Sequence, residues 1–181
     1  MKLIFPFALL LCLAACGGAG PAAEGAPPAQ HAQDVIISES QMGEGKWLLT
    51  ATDADFYQAD EGSYVAMRKP HIIFKTGGEA GSSITARKGR YDFDKNLIML
   101  NDAVHGANAR EGAELDTEIL FYDTQTRLIW TDAPVALKRG GVVVKGSGLK
   151  ANQDLSEIEI FKQKTALPQN IKDFRAATAN L

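Results

Sequence analysis

Residues 84–137 read ITARKGRYDFDKNLIMLNDAVHGANAREGAELDTEILFYDTQTRLIWTDAPVAL and repeat one pattern at a constant offset of 31 positions. The matching residues are Tyr91-Asp92 with Tyr122-Asp123, Leu97-Ile98 with Leu128-Ile129, and Val104 with Val135. Weaker copies lie upstream around Leu49 and downstream around Val144, at spacings of about 29 to 35 residues. Four copies in succession predict a repeat architecture.

Each copy contains two short apolar runs that are separated by turn residues such as Asp94-Lys95-Asn96. Apolar and polar residues alternate within the runs, which places the apolar side chains on one face of a β-strand. The candidate strands are Val35 to Ser38, Lys46 to Thr52, Ser63 to Met67, His71 to Lys75, Ser83 to Phe93, Leu97 to Leu100, Glu114 to Tyr122, Leu128 to Thr131, Val135 to Lys138, Val142 to Lys145 and Ser156 to Lys162. The chain is therefore predicted to be all-β, with many short strands.

A single strand-turn-strand unit cannot bury its apolar face alone, so the copies are expected to stack. A stacked, twisted sheet that curls without closing leaves a lengthwise apolar groove, which suits an acyl chain. A plain sandwich packed by large inward residues would leave no such room. The residues predicted to wall the groove are Trp47, Leu49, Ile72, Phe74, Ile84, Ile98, Leu100, Leu115, Leu120, Ile129, Val135, Val144 and Ile158.

Length and composition limit the classes of protein to consider. A chain of 181 residues has room for one domain, and 45% apolar with 23% charged residues is ordinary for a globular protein. The formal charge is −3 and the pI is about 5.6, without the basic excess that is typical of nucleic-acid-binding proteins. Nucleic acid is therefore not expected as a partner.

The N-terminus has the features of a bacterial lipoprotein signal. Lys2 precedes an apolar core, and Leu13-Ala14-Ala15-Cys16 resembles a lipobox, which predicts removal of the signal and lipidation of Cys16. The alternative is an ordinary signal peptide cut near Ala15, which leaves a free thiol. The predicted segments are the signal peptide 1–15, the lipidated cysteine and flexible tether 16–34, the folded domain 35–163 and a C-terminal tail 164–181.

Residues that could hold a metal or catalyse a reaction do not cluster in the sequence. His31, His71 and His105 have no neighbouring cysteine or histidine at ligand spacing, so neither a metal nor a cofactor is predicted. The aspartates fall mostly in turns or at outward positions. No catalytic residue is predicted, although a glycan-acting envelope enzyme with an aspartate pair stays an alternative.

The segment Gly146-Ser147-Gly148-Leu149-Lys150-Ala151 is similar to the glycine-rich turn of a dinucleotide site. That turn must open a helix inside a βαβ unit, whereas Asn152 and Asp154 follow here and disfavour a helix. The glycines are predicted to mark a bend or a bulge in a curved sheet.

Several segments resemble the periplasmic lipopolysaccharide-export proteins of the LptC family, in the OstA-like superfamily. The similar segments are Trp47-Leu48-Leu49-Thr50-Ala51, Pro70-His71-Ile72-Ile73-Phe74-Lys75, Ile84-Thr85-Ala86, Tyr91-Asp92, Thr131-Asp132-Ala133-Pro134-Val135 and Gly146-Ser147-Gly148-Leu149. The resemblance covers about residues 42–161 and implies an open, twisted β-jelly-roll whose interior binds the acyl chains of lipopolysaccharide. It also implies a non-enzymatic role, because the transporter hydrolyses the ATP.

The resemblance implies two protein partners: the permease subunits of an inner-membrane ABC transporter, and a soluble jelly-roll bridge protein similar to LptA. The predicted edge for the bridge protein contains Ser156, Ile158, Ile160 and Lys162, and an N-terminal strand is expected to face the transporter. The best-known family members have an N-terminal membrane helix, whereas this chain has the predicted lipid on Cys16. A periplasmic location is expected, at the inner membrane rather than the outer. The rival function is an envelope lipoprotein scaffold of the same fold that carries no lipid.

Overall fold

The computed structural model describes residues 27–41, 44–59, 62–77 and 79–165. Within these residues the chain forms twelve β-strands and no helix, which confirms the all-β prediction. The strands are β1 Gln30–Gln41, β2 Glu44–Ala59, β3 Gly62–Arg68, β4 His71–Thr76, β5 Glu79–Thr85, β6 Lys88–Asp92, β7 Leu97–Asn108, β8 Ala113–Asp123, β9 Leu128–Arg139, β10 Val142–Asn152, β11 Ile158–Ile160 and β12 Lys164–Thr165. The predicted signal peptide, Cys16 and most of the predicted C-terminal tail lie outside the described residues.

The strands form one antiparallel sheet that is organised around two long strands, β2 and β7. Two pairs of short strands connect them: β4 with β5, and β3 with β6. Because β4 and β3 pair with successive parts of β2, and β5 and β6 with successive parts of β7, the two pairs lie end to end. Beyond β7 the order continues through β8, β9 and β10 to β11, while β1 pairs with β2 at the other edge.

A line of backbone irregularities crosses the sheet where the two pairs of short strands meet. Left-handed φ angles occur there at Asp34 (50°), Lys69 (49°), Asp102 (70°), Gly148 (90°) and Lys162 (46°). The pairing also shifts register beside Asp102 and beside Gly148. Irregularities of this kind interrupt the pleat and bend the strands. The sheet therefore folds along this line into a β4–β5 half and a β3–β6 half, each with the adjoining parts of the long strands.

The two halves face each other across the hydrophobic core. The rings of Phe74 in β4 and Tyr122 in β8 meet edge to face with their centroids 4.9 Å apart, and Trp47 of β2 meets Tyr91 of β6 at 6.1 Å. In each of these pairs one ring belongs to the β4–β5 half and the other to the β3–β6 half. The result is an open β-jelly-roll, as predicted.

The two strong copies of the sequence repeat have the same structure. Asp92 and Asp123 each end a strand, and each carboxylate accepts backbone N–H bonds from the turn that follows. Asn96 and Arg127, which are also 31 positions apart, end these turns with left-handed φ angles of 53° and 59°. The repeat is therefore one hairpin made twice, β6 to β7 and β8 to β9.

Several predicted strand boundaries are wrong, and the fold line explains most of the errors. The predicted strand Ser83 to Phe93 is two strands, because the chain leaves the ladder at Ala86 and Arg87 to cross the line. The predicted strands before and after Asp132 are one strand, β9, because the backbone bends there without ending. The predicted boundary between tether and folded domain, at residue 34, is wrong, because β1 begins at Gln30 and pairs with β2.

The prediction for the glycine-rich segment is confirmed. Gly148 has a left-handed φ of 90°, and the β10 ladder shifts register between Ser147 and Leu149. A Cβ atom at Gly146 would collide with the side chain of Ile160 and the carbonyl oxygen of Phe161. The glycines thus allow β10 to bend at the fold line while the last segment of the sheet packs closely against it.

Candidate functional site

The space between the two halves holds most of the residues predicted to wall a groove. Eleven of these thirteen have 4% or less of their surface exposed, namely Trp47, Leu49, Ile72, Phe74, Ile84, Ile98, Leu100, Leu115, Leu120, Ile129 and Val135. The other two, Val144 and Ile158, are partly buried and pack against this core. Among the described residues the buried polar side chains are serine, threonine and asparagine, and none is charged. Among the described residues the interior is thus apolar and closely packed by its own side chains.

The apolar lining reaches both edges of the sheet. At the first edge, Val35 and Ile37 of β1 are partly buried and pack against the core. Toward the other edge, Val144 of β10, which pairs with Thr165 of β12, and Ile158 of β11 do the same. A lining that runs from edge to edge can continue into the interior of a neighbouring protein that pairs with either edge.

The strand predicted to be the partner edge is shorter than expected, and its role as a docking edge stays a prediction. Strand β11 contains Ile158 and Ile160, whereas Ser156 lies in the preceding loop and Lys162 lies at the fold line, where the strand is interrupted. The carbonyl of Glu157 and the N–H of Phe161 bond to β10. Because the backbone of an antiparallel strand points alternately to its two sides, the N–H and C=O groups of Ile158 and Ile160 point away from β10.

A loop between β10 and β11 closes the rim of the interior opposite the fold line. We call residues 153–157, between β10 and β11, the strap. Ser82 Oγ donates a hydrogen bond to the carbonyl of Gln153 at 2.6 Å, and Asn108 Nδ2 donates to the carbonyl of Asp154 at 2.5 Å. Both donors belong to the β4–β5 half, whereas the strap extends from the β3–β6 half. These bonds therefore tie the two halves together.

The strap is also built to keep its own shape. Asn152 Oδ1 accepts the N–H groups of Ser156 and Glu157, and Asp154 Oδ1 accepts the hydroxyl of Ser156 at 2.7 Å. Such side-chain bonds to a nearby backbone are typical of compact turns. The strap thus holds a compact shape of its own.

Tyr122 connects the interior to the strap. Its phenol donates to Gln153 Oε1 at 3.1 Å, and burial raises the pKa of the Tyr122 hydroxyl well above its usual value. The hydroxyl is therefore a hydrogen-bond donor at any physiological pH.

Polar residue types that sequence analysis considered for chemistry have structural roles instead. His31 Nδ1 lies 2.7 Å from Asp55 Oδ1 across β1 and β2, and His105 Nδ1 lies 2.8 Å from Asp116 Oδ1 across β7 and β8. The carboxylate of Asp94 accepts the N–H of Ser63. These pairs lie outside the core and join neighbouring strands and turns.

The strap could have been identified in part from the sequence. Ser82 and Asn108 occupy inward positions of strands whose other inward residues are apolar or glycine, and both are buried. A polar residue at a strand position where the alternation is otherwise apolar requires a hydrogen-bond partner. That signal does not reveal the partner, because the strap is 71 residues from Ser82 in the sequence.

Comparison with known proteins identifies the family. Nowhere in the described part of the chain is there a helix long and apolar enough to cross a membrane. A search of curated proteins finds no match for the chain. The sequence profile of the LptC family, described as lipopolysaccharide-assembly, LptC-related, matches residues 9–167, which is most of the chain and includes every strand described above. The chain therefore belongs to the LptC family and is a non-enzymatic component of lipopolysaccharide transport in the cell envelope.

Proposed function

We propose that this protein is a lipid carrier and bridge component that moves lipopolysaccharide from an inner-membrane ABC transporter across the periplasm toward the outer membrane. One observation carries the proposal: the apolar lining between the two halves extends from β1 to β11. Lipopolysaccharide contains acyl chains, and an uncharged lining suits them. Because the family is non-enzymatic, the alternative of a glycan-acting enzyme is set aside.

An acyl chain enters such an interior by displacing contacts between the two halves. Side chains such as Phe74, Ile98 and Leu120 are fully buried, so space for the chain is made when the halves separate. Burial of apolar surface contributes roughly 25 cal/mol per Å², and the lipid regains the contact area that the protein side chains lose. The exchange is therefore nearly neutral, which favours a carrier that must also release its lipid.

The outward edge of β11, which pairs with no other strand among the described residues, suits the soluble jelly-roll bridge protein. The outward N–H and C=O groups of Ile158 and Ile160 can pair with a strand of that protein by β-augmentation. In this arrangement β1 at the other edge faces the permease subunits of the transporter. The acyl chains then pass between connected interiors and do not enter water.

The proposed attachment is a lipid on Cys16 at the periplasmic face of the inner membrane. Fourteen positions separate Cys16 from Gln30, where β1 begins. Fully extended, they reach at most about 50 Å. That reach allows the folded domain to meet both the transporter and the bridge protein while the anchor stays in the membrane.

Photocrosslinking tests the carrier function. A photoreactive residue at Ile98 or Leu100 is expected to form an adduct with lipopolysaccharide in cells, because both side chains point into the interior. The matched control is Met99, which lies between them on the other face of β7 and should give no adduct. The close packing of the described interior favours the rival scaffold, which predicts no lipid adduct at any of the three positions.

A further inference from the structure

Leu155 is the one apolar residue of the strap, and its side chain is fully buried. A Cβ atom placed on Gly106 of β7 would lie 3.4 Å from Leu155 Cδ1, 3.6 Å from Leu115 and 3.7 Å from Ile84. Leu155 therefore occupies a seat that is formed by Ile84, Gly106 and Leu115 on three neighbouring strands. The missing side chain at Gly106 provides the space.

Contacts with the opposite half hold Leu155 in its seat. Its φ angle is 55°, a left-handed conformation that is unfavourable for leucine because of its Cβ atom. The bonds from Ser82 and Asn108 to the strap, together with a bond from Arg139 Nη1 to the carbonyl of Ser156 at 3.2 Å, outweigh that preference. All three bonds join a side chain to the strap backbone, so the strap can leave without breaking a β-ladder.

We infer that the strap is an internal competitor for the transported lipid. Leu155 fills the part of the apolar lining that an acyl chain occupies after loading, and the strap lifts from Ser82 and Asn108 when the chain enters. Release of these bonds also separates the rims of the two halves. The movement that removes Leu155 from its seat therefore also opens the interior to the acyl chain. The inference rests on the proposed function and names the contact that controls loading.

Two substitutions loosen the strap selectively. Ser82→Ala removes one donor with a small change in volume. Asn108→Asp removes the Nδ2 donor but keeps the oxygen that accepts the N–H groups of Arg110 and Glu111, so the adjoining turn is retained. The matched control is Thr124→Val, which removes a buried hydroxyl bond to the carbonyl of Asn96, away from the strap.

The experiment measures how fast purified lipopolysaccharide forms an adduct with a photoreactive residue at Leu115 in the full-length protein. The double variant Ser82→Ala, Asn108→Asp is expected to load about thirtyfold faster than the parent, which corresponds to about 2 kcal/mol for the two lost hydrogen bonds. Thr124→Val is expected to load at the parental rate. A urea titration of each variant checks that it is folded, and Ser82→Ala alone replaces the double variant if that variant is unfolded.

A second readout follows the strap itself. Saturation with lipopolysaccharide is expected to speed hydrogen exchange at the N–H of Leu155, which bonds to the carbonyl of Asn152, by about tenfold or more. Equal loading rates of the parent and the loosened variant would overturn the inference that the strap competes with the lipid. An unchanged exchange rate at Leu155 with lipid bound would do the same, and either result leaves the carrier function standing. A failure of every variant to bind lipopolysaccharide overturns both.

Discussion

Proline at position 158 tests whether the outward edge of β11 is the docking edge for the bridge protein. The N–H of Ile158 points away from β10, so Ile158→Pro removes an outward donor and no bond of the β10 to β11 ladder. The Ile158 side chain is only partly buried. We therefore expect its loss to lower the free energy of unfolding by about 1 to 2 kcal/mol, less than for a fully buried isoleucine.

Two further variants separate the edge from the side chain. Ile158→Ala loses similar packing but keeps the outward N–H. Glu159→Pro removes an N–H that points toward β10. Glu159 is two residues from Phe161, whose N–H bonds to β10, so its backbone points to the same side. Glu159→Pro is therefore expected to destabilise the monomer itself, which urea titration measures.

Binding to the purified bridge protein is the deciding measurement. Loss of one hydrogen bond contributes about 1 kcal/mol, and the proline ring also blocks close approach of the partner strand, so Ile158→Pro should weaken binding roughly 10- to 100-fold. Ile158→Ala should bind within a few-fold of the parent. Equal affinities of Ile158→Pro and Ile158→Ala would refute the edge model. Ile160→Pro should weaken binding by a similar factor, but it is the less clean probe because that side chain is buried.

Three other perturbations give distinct results. Gly146→Ala should lower the free energy of unfolding by about 1 to 3 kcal/mol, because its methyl group would collide with Ile160. Urea titration measures this as a lower midpoint, and an unchanged midpoint would mean that the last segment moves aside easily. A hydrogen bond from the N–H of Thr126 lowers the pKa of Asp123 in the folded protein. The stability that this carboxylate contributes is therefore complete above its usual pKa of about 3.8, and it is lost as the pH falls through the lower pKa of the folded state. Asp123→Asn should therefore make the unfolding free energy less dependent on pH below about pH 4, and an unaltered acid slope would contradict this account. Cys16→Ala should abolish incorporation of radiolabelled palmitate and release the protein from membranes, whereas continued membrane association would exclude the lipid anchor.

The features that the sequence predicts well are local or periodic. The Tyr-Asp pairs at 91 and 122 identify two hairpins because an aspartate at a strand end favours the same turn each time it occurs. The alternation of β8 likewise separates its inward from its outward residues, since Leu115 is buried and Asp116 is exposed. These predictions require only neighbours in the sequence.

The fold line could not be predicted because it depends on contacts between distant strands. Asp102 and Ala103 have left-handed φ angles in the middle of β7, although neither residue is glycine. Their conformation is held by neighbouring strands, as in the bond from the N–H of Arg87 to the carbonyl of Asp102. The position of the strap also depends on contacts with distant strands and could not be predicted, because nothing near Leu155 in the sequence indicates that its side chain inserts over Gly106.

The packed interior has a consequence for the direction of transport. A leucine side chain contributes about 1.5 to 3 kcal/mol when it is fully buried, and an acyl segment that replaces Leu155 in its seat contributes a similar amount. Loading and release of the proposed carrier are therefore close to balanced, so this protein cannot by itself drive lipid one way. The direction must come from a partner that consumes energy, and the resemblance gives this role to the ABC transporter. In the proposed mechanism the strap limits how readily each lipid enters.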